Sequence, residues 1–352
     1  MKIGVLTGGG DCPGLNAVIR AVVRKGIFHY NDQFVGFLEG WRGVMENMVR
    51  DLDLEAVSGI LPRGGTILRS SRTNPAKKTN GIERCLENLN KNGIEALIVL
   101  GGDDTQSVSQ ELFTRGVKVI GVPKTIDNDL SGTDFCFGFD TAVNIATEAI
   151  DRVHTTAEAH NRVIVVEVMG RDSGWIAIYS GIAGGADVIL VPELPFDVDE
   201  VAASLKRRHA RGRFFSVVVV AEGATLASSS DQKGGAQLTS ESTKDEFGHV
   251  RLGGIGNMLA HEIEHRTGFE TRAVVLGHIQ RGGSPTAFDR VLATRYGIGA
   301  IDLVHQGAFG NMVVLRGNHI SSVPIVEAIA QTSFVSQELI DVALSLHDRG
   351  QH

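Results

Sequence analysis

Two adjacent carboxylates follow a glycine pair in the segment "LGGDDTQS", residues 100–107. The apolar run before them, "EALIVL", is typical of a buried strand. A glycine turn after a strand is typical of a phosphate site, and one carboxylate there can hold a Mg²⁺ ion that bridges phosphate oxygens. Asp103 is therefore our candidate metal ligand. Asp104 and Thr105 have an alternative interpretation as helix-capping residues.

The segment "PKTIDNDL", residues 123–130, concentrates polar residues in an apolar context. If its residues 125–129 are extended, Thr125, Asp127 and Asp129 share one face. Two carboxylates so close raise the pKa of one of them, which suits that group to accept a proton. Lys124 points elsewhere and is a point charge suited to phosphate. The alternative is an Asx-turn loop, which accounts poorly for five polar residues.

A second glycine turn, "TGGGDCPG" at residues 7–14, lies between a predicted strand and a predicted helix. Its glycines allow close approach of a ligand, and the helix N-terminus offers free N–H groups to an anion. The dinucleotide fingerprint G-x-G-x-x-G fails, because Pro13 occupies its third glycine position, and no G-x-x-x-x-G-K-[ST] motif occurs. The turn therefore indicates an anion site or a plain strand–helix turn.

Two further motifs place cationic side chains after predicted strands: "MGRDSGW", residues 169–175, and "GHIQRGGSP", residues 277–285. If Arg171, His278 and Arg281 converge, they form a clamp for a phosphate or carboxylate. Considered separately, an arginine is more often an ordinary solvent-exposed surface residue. Glu222 either accepts a sugar hydroxyl or simply ends its strand.

These motifs need a framework that brings strand ends together. The predicted strands are 2–7, 34–40, 95–102, 118–123, 162–170, 188–193, 214–223 and 271–278, and the predicted helices include 15–30, 81–93 and 143–160. Apolar strands that alternate with helices indicate an α/β protein with parallel sheets covered on both faces. Ligands of such sheets bind beyond the carboxyl ends of the strands, where the motifs lie. The polar stretch 225–254 predicts a loop or mobile insertion, with a short hairpin as an option.

Composition narrows the class of protein. The 352 residues favour two domains, and 42% hydrophobic against 21% charged residues excludes wholesale disorder. A net charge of −7 without a basic footprint argues against nucleic acid, and the longest apolar run, 214–221, is too short for a membrane span. Cys12, Cys85 and Cys136 fit no zinc or redox pattern, and no secretory signal is visible. We therefore expect a cytoplasmic protein with free thiols.

Together the motifs predict phosphoryl transfer to a hydroxyl of a phosphorylated acceptor. One anion site would be lined by glycines and assisted by a metal ion, and the other would be formed by Arg and His side chains. The segment 123–130, which we call the acidic loop, would lie between them.

Five segments in order along residues 2 to about 300 resemble the phosphofructokinases: "GVLTGGGDCPGLNAVIR", "GGDDT", "PKTIDND", "MGRDSGWIA" and "GHIQRGGSPTAFDR". The resemblance implies two Rossmann-like three-layer α/β/α domains with the active site between them, and Mg²⁺-assisted transfer to the 1-hydroxyl of fructose 6-phosphate. It assigns 1–138 plus about 280–330 to the phosphoryl donor. It assigns 139–279 plus a C-terminal helix at about 331–352 to fructose 6-phosphate, with 225–254 as an insertion.

The resemblance also implies roles for individual residues. Asp127 matches the catalytic base, flanked by Thr125, Ile126 and Asp129, and Asp103 matches the Mg²⁺-linked acid. The positions that match the donor site are Gly9, Gly10, Arg72 and Gly102. The positions that match the sugar-phosphate site are Met169, Gly170, Arg171, Glu222, His278 and Arg281, of which Arg171 also steadies the transferring group. Arg162 and Arg272 match arginines that reach the neighbouring subunit's site, which implies a homodimer or homotetramer.

Two positions bear on the donor. Asp104 and Lys124 stand where family members that use ATP typically have glycine, and this pair marks the pyrophosphate-dependent branch. A carboxylate in the space of an α-phosphate repels it by about 4 kcal/mol, for unit charges ~4 Å apart at an effective dielectric near 20. Lys124 can stabilise the leaving oxygens of pyrophosphate. Thr73 stands where the ATP-dependent enzymes have an aromatic residue next to the nucleotide, which agrees with a donor that lacks adenine. The alternative is an ATP-dependent or dual-donor phosphofructokinase.

Arg20 and Arg24 fit the effector site of the regulated bacterial enzymes, whereas Leu54 and His154 replace its arginines, so effector control is not implied. An enzyme of the NAD-kinase type shares glycine–glycine–aspartate turns but not the "PKTIDND" motif. A non-catalytic sugar-phosphate sensor would tolerate loss of Asp127.

Overall fold

The computed structural model describes residues 1–227, 236–237, 239–244 and 250–346, with side chains described outside 228–251. These residues fall into two units. The first contains Met1–Thr141 and Arg281–Thr332, and the second contains the described parts of Ala142–Thr243, Val250–Gln280 and 333–346. No helix of the described part is long and apolar enough to cross a membrane.

The strands are β1 Lys2–Thr7, β2 Gln33–Phe37, β3 Val49–Leu52, β4 Ala96–Gly101, β5 Val119–Pro123, β6 Val163–Val168, β7 Val188–Leu190, β8 Ser216–Ala221, β9 Thr225–Leu226, β10 Ala236–Gln237, β11 Thr239–Lys244, β12 Val250–Leu252, β13 Thr271–Val275, β14 Asn311–Arg316 and β15 His319–Pro324. The α-helices are α1 Leu15–Lys25, α2 Trp41–Glu46, α3 Gly81–Lys91, α4 Asp103–Thr114, α5 Phe139–His160, α6 Trp175–Ala183, α7 Val198–Ala210, α8 Ile255–Thr267, α9 Ala287–His305, α10 Ile325–Ala328 and α11 Gln337–Ser345. This order confirms the predicted α/β class.

The first unit has a seven-stranded sheet in the order β15-β14-β5-β4-β1-β2-β3. Its central strands β5, β4, β1 and β2 are parallel, so their carboxyl ends share one edge. β4 is buried along its whole length, because helices cover both faces of a parallel sheet. Trp41 of α2 and Leu112 of α4 belong to the core beside this sheet.

The sequence analysis missed three strands of this unit. β3 and β15 pair antiparallel at the two edges of the sheet, and most of their residues are exposed or half-buried. Edge strands need no continuous apolar run, so their sequences lack the signal by which the central strands were predicted. The third, β14, joins β5 to β15.

The second unit has a parallel four-stranded sheet in the order β13-β6-β8-β7. The run predicted as a buried strand at 214–221 is β8, whose six residues are all buried. Val165 of β6 and Val218 of β8 pack with Leu259 and Ile263 of α8 in the core of this unit. Within the predicted insertion, β9 pairs with β10 and β11 pairs with β12, while 228–235, 238 and 245–249 lie outside the described residues.

Candidate functional site

In the first unit, the loops that follow β1, β4 and β5 meet at one edge of the sheet. The three strands are adjacent and parallel, so the segments 8–14, 102–105 and 124–129 leave the sheet side by side. This is the position at which open α/β sheets bind their ligands. Three motifs that lie far apart in the sequence thus belong to one surface.

The glycine loop after β1 is fixed by its backbone. Gly9 has φ +77°, a left-handed conformation that favours glycine, and its N–H donates to the Ser71 carbonyl at 3.1 Å. Its own carbonyl accepts a hydrogen bond from the Ser70 hydroxyl. Gly10 lies against Arg281, so that a Cβ at residue 10 would come within 2.7 Å of Arg281 Nη1. The loop therefore needs glycine for its conformation and for this close approach.

Lys124 connects the end of β5 to this loop. Its Nζ donates to the Gly10 carbonyl oxygen at 2.5 Å, and only 4% of the residue is exposed. Burial lowers the pKa of the Lys124 ammonium, as does the neighbouring Arg281, while the charges of Asp127 and Asp129 act in the opposite direction. A poorly hydrated cation at the glycine loop is suited to stabilise phosphate oxygens.

The two carboxylates of "GGDDT" open α4. Gly102 is the N-cap residue and makes no side-chain cap, so Asp103 and Asp104 are the first two helical residues, and the capping interpretation is wrong. Thr105 is buried; a Cβ at residue 8 would lie 2.6 Å from its methyl group, so glycine there makes room for it. Asp103 is exposed and Asp104 is half-buried.

The residues around Asp103 fit a hydrated magnesium ion. No group of three or more His, Cys, Asp or Glu side chains in the described residues could form a complete metal cage. Magnesium usually keeps several waters and is held by one or two carboxylates together with substrate phosphates. An exposed carboxylate in the first turn of α4 meets that requirement.

Residues 125–129 are not a continuous extended segment. The chain bends at Ile126 and Asp127 and Asn128 has φ +53°, so the predicted shared face of Thr125, Asp127 and Asp129 is wrong. Instead Thr125 Oγ1 accepts the Asp127 N–H at 3.0 Å and lies 3.4 Å from Asp127 Oδ2. Asp127 and Ile126 are buried, and Asp129 is half-buried.

Asn128 is a positioning residue that the sequence analysis missed. Its Oδ1 accepts the Cys136 N–H at 2.8 Å, and its Nδ2 donates to the Asp134 carbonyl at 3.2 Å. Asparagine tolerates the left-handed region better than most residues, so an Asn within a polar loop was the available signal. Its two hydrogen bonds fix the orientation of the neighbouring Asp127 backbone.

Arg281, predicted to belong to the sugar-phosphate group, lies in the first unit. Its Nη1 donates to the Asp11 carbonyl at 3.2 Å, directly beside Gly10. Arg72 is exposed and follows Ser71, whose carbonyl accepts the Gly9 N–H. The first unit therefore brings together the predicted donor-site residues, the acidic loop and Arg281.

In the second unit, the loop after β6 carries Arg171. Gly170 has φ +148°, and a Cβ there would lie 2.5 Å from the Ser173 carbonyl oxygen. Arg171 itself is left-handed at φ +52°, and its N–H donates to Glu222 Oε1 at 3.2 Å. Gly223 is needed here too, because a Cβ at that residue would overlap the Arg171 carbonyl at 1.8 Å. Glu222 therefore supports the Arg171 loop.

Met169 and His278 also lie at the carboxyl edge of this sheet. Met169 is buried directly after β6, and His278 is exposed in the 3-10 turn Gly277–Arg281 that follows β13. Together with Gly170, Arg171 and Glu222 they form the second cluster of predicted residues.

Arg162 and Arg272 lie at the opposite edge of the sheet. Arg162 precedes β6 and Arg272 is the second residue of β13, and both pair with Glu270, at 2.8 and 2.7 Å. The six residues of β6 span roughly 20 Å at about 3.3 Å per residue. Neither arginine can therefore reach Glu222 of the same sheet, and Glu270 is a partner that the sequence analysis did not identify.

Comparison with known proteins agrees with the arrangement of these motifs. A family model described as "Phosphofructokinase" matches residues 2–304. A pyrophosphate–fructose 6-phosphate 1-phosphotransferase of Streptomyces coelicolor is 58% identical, over 97% of this chain and 98% of its own length. ATP-dependent 6-phosphofructokinase 3 of the same organism is 51% identical, over 94% and 95%.

The fold has a counterpart among solved structures. Pichia pastoris phosphofructokinase in the T-state matches 98% of this chain and 36% of its own, longer chain, with a TM-score of 0.79 and 32% identity. The family match covers the glycine loop, the acidic loop and both cationic motifs. On these grounds the chain belongs to the phosphofructokinase family.

Proposed function

We propose that this chain transfers a phosphoryl group from pyrophosphate to the 1-hydroxyl of fructose 6-phosphate, giving fructose 1,6-bisphosphate and phosphate. The reaction is reversible and belongs to glycolysis or gluconeogenesis. The observation that carries the choice of donor is the pair Asp104 and Lys124. Asp104 stands in the first turn of α4, and Lys124 is one hydrogen bond from the glycine loop.

Asp104 disfavours a donor with an α-phosphate. It is half-buried beside Gly102, where its charge is screened less than on an open surface. An α-phosphate at this point would meet a like charge and a side chain in place of glycine, whereas pyrophosphate ends before it. Relatives of 58% and 59% identity carry the pyrophosphate name, which supports the same donor.

In the proposed reaction Asp127 accepts the proton of the 1-hydroxyl. Thr125 holds it through the contacts of its hydroxyl with the Asp127 N–H and carboxylate. Lys124 and Arg281 of the first unit neutralise charge on the leaving oxygens of the donor. Arg171 has the role that its match to the family implies, which is to steady the transferring group. Asp103 would hold Mg²⁺, which supplies further charge neutralisation on the phosphate oxygens when bound.

The acceptor is proposed to bind at the carboxyl edge of the second unit, through Met169, Glu222 and His278. Arg162 and Arg272 lie at the other edge of that sheet, where both pair with Glu270, which supports our proposal that they serve the acceptor site of a second copy. We therefore propose that the protein is a homodimer or homotetramer. We also propose that it acts in the cytoplasm.

Donor choice is tested by initial rates with pyrophosphate and with ATP at equal free Mg²⁺ and saturating fructose 6-phosphate. We expect kcat/KM to be higher with pyrophosphate. The competing function is an ATP-dependent phosphofructokinase, which a 51% identical relative favours. A clearly higher kcat/KM with ATP would establish that function instead.

A further inference from the structure

Asp289 is a fully buried carboxylate to which the phosphotransfer scheme gives no role. It is the third residue of α9, and none of its surface is exposed. Burying a carboxylate is unfavourable unless it is hydrogen-bonded, so a buried acid in this position calls for a physical reason.

Asp289 connects two segments that are distant in sequence. Its Oδ2 accepts both the N–H and the hydroxyl of Thr141, at 2.8 and 2.5 Å. Thr141 is the third residue of α5, and Asp289 itself lies in the first turn of α9. The carboxylate therefore lies at the N-termini of both helices, where the helix dipoles favour a negative charge.

The hydroxyl groups around Asp289 are oriented by their partners. The Thr286 N–H donates to Thr141 Oγ1 at 3.0 Å, which leaves the Thr141 hydroxyl proton for Asp289. The Asp289 N–H donates to Thr286 Oγ1 at 3.3 Å, which leaves the Thr286 proton for Asp140 Oδ2, at 2.5 Å. The hydroxyls of Thr141 and Thr286 therefore donate to carboxylate oxygens of Asp289 and Asp140, respectively.

One arm of the network leads to Lys124. Phe137, just before α5, forms a parallel β-bridge with Lys124. Its carbonyl accepts the Cys12 thiol at 3.6 Å, and a Cβ at Gly138 would lie 2.8 Å from Cys12 Sγ. The start of α5 is thus packed against both Lys124 and the glycine loop.

The other arm leads to Arg281. The segment 281–286 runs from Arg281, beside Gly10, to Thr286, and the Pro285 carbonyl accepts Arg290 Nε at 2.9 Å. A Cβ at Gly64 would lie 2.1 Å from the Gly283 carbonyl, so this segment has little free space. The N-terminus of α9 thus sets where Arg281 can lie.

We infer that Asp289 is a positioning residue: its carboxylate joins the start of α5 to the start of α9 and thereby holds Lys124 and Arg281 at the glycine loop. The role rests on the proposed function, since it concerns the site of a phosphate donor. It applies to any donor bound there.

The ionisation of Asp289 gives this role a measurable signature. Burial raises the pKa of Asp289 to about 6, and the negative charge of Asp140 also raises it. The two hydrogen bonds from Thr141 and the one from the Gly138 amide lower the pKa of Asp289 but do not outweigh burial. Cys12 is a further titratable group whose charge would act on Asp289, and burial raises the pKa of its thiol to about 12, so it stays a thiol in the pH range of the test. The carboxylate is therefore lost as the pH falls through about 6.

The test measures kcat against pH from 5 to 8 for the whole protein and for Asp289→Asn. We expect kcat of the unchanged protein to fall below about pH 6, and we call this fall the acid limb. Asp289→Asn should have a lower kcat at all pH values and should not show the acid limb. Thr141→Val should move the acid limb to higher pH, because the hydrogen bond that it removes lowers the pKa of Asp289. If Asp289→Asn does not fold, the direction of the Thr141→Val shift decides.

Asp32→Asn is the matched control. Asp32 is also a buried carboxylate of the first unit, but it pairs with His305 at the far end of α9, at 2.7 Å. We expect it to lower thermal stability while leaving the acid limb in place.

Profiles with pyrophosphate and with ATP separate the two proposals. Faster turnover with ATP contradicts the proposed donor but leaves the Asp289 limb measurable. An acid limb identical in the unchanged protein and in Asp289→Asn, or unmoved by Thr141→Val, would overturn the role of Asp289.

Discussion

The Nζ atom of Lys124 donates a hydrogen bond to the Gly10 carbonyl oxygen at 2.5 Å, so the cation at the end of β5 is held against the glycine loop after β1. The two residues are 114 positions apart in the chain. This contact places a buried positive charge where the motifs predict phosphate, and the first two predictions concern its surroundings.

Replacing Asp104 with glycine should improve the use of ATP. The substitution removes a negative charge from the first turn of α4 and restores space beside Gly102. We expect ATP to bind at least about tenfold more tightly, which corresponds to a gain of about 1.4 kcal/mol out of the repulsion of about 4 kcal/mol between unit charges. Calorimetric titration with ATP measures it, and Asp103→Gly, which should weaken both donors, is the control. Unchanged affinity of Asp104→Gly for ATP would contradict the repulsion argument.

Replacing Lys124 should reduce turnover with pyrophosphate more than pyrophosphate binding. Because burial lowers the pKa of Lys124 below its usual value of 10.5, raising the pH through that lowered pKa discharges the ammonium. Turnover should therefore fall on the alkaline side, below pH 10.5. Lys124→Met should lower kcat by about 10²–10³-fold.

Lys124→Arg is the control for the alkaline limb, because a guanidinium stays charged throughout this range. Its residual activity should lack the limb seen in the unchanged protein. A limb at the same pH in both proteins would assign the titration to another group.

Asp127→Asn should abolish turnover and keep acceptor binding. The amide cannot take the proton of the 1-hydroxyl but retains the size of the buried side chain, so we expect a loss in kcat of about 10²–10⁴-fold. Calorimetry with fructose 6-phosphate should give an affinity close to that of the unchanged protein. Turnover retained by this variant would favour a different base.

Arg272→Ala should raise the KM for fructose 6-phosphate, because we propose that this arginine serves a second copy. Subunits with Arg272→Ala and subunits with Asp127→Asn, produced together, should form hybrids in which one site has both residues intact. We expect activity clearly above the sum of the two variants. Glu264→Gln, which weakens only the 3.7 Å pair of Arg272, should have little effect. Absence of complementation in confirmed hybrids would place both residues in one subunit's site.

The parallel strands were predictable because helices cover both faces of a parallel sheet. β4 and β8 are fully buried, so each appears in the sequence as an uninterrupted apolar run. β3 and β15 were missed because edge strands carry polar residues and take their conformation from a neighbour. β14 was missed although four of its six residues are buried, so burial alone does not make a strand predictable.

The site was predictable where backbone demands are local. Gly9 and Gly170 are glycines because positive φ angles are required at these turns, and such turns follow strands in the sequence itself. The extended geometry expected for 125–129 failed because Asn128 turns the chain, which is decided by its hydrogen bonds to Asp134 and Cys136.

The sequence alone determined the α/β class, the positions of the central strands along the chain and the turns that carry glycines, carboxylates and arginines. These depend on apolar runs and on backbone conformations that a few neighbouring residues specify. Only the tertiary structure decided that Arg281 contacts the glycine loop 270 residues earlier, that Arg162 and Arg272 lie away from Glu222, and that Asp289 joins two helix starts. Such contacts depend on which distant segments the sheet order brings together, and no local pattern encodes them.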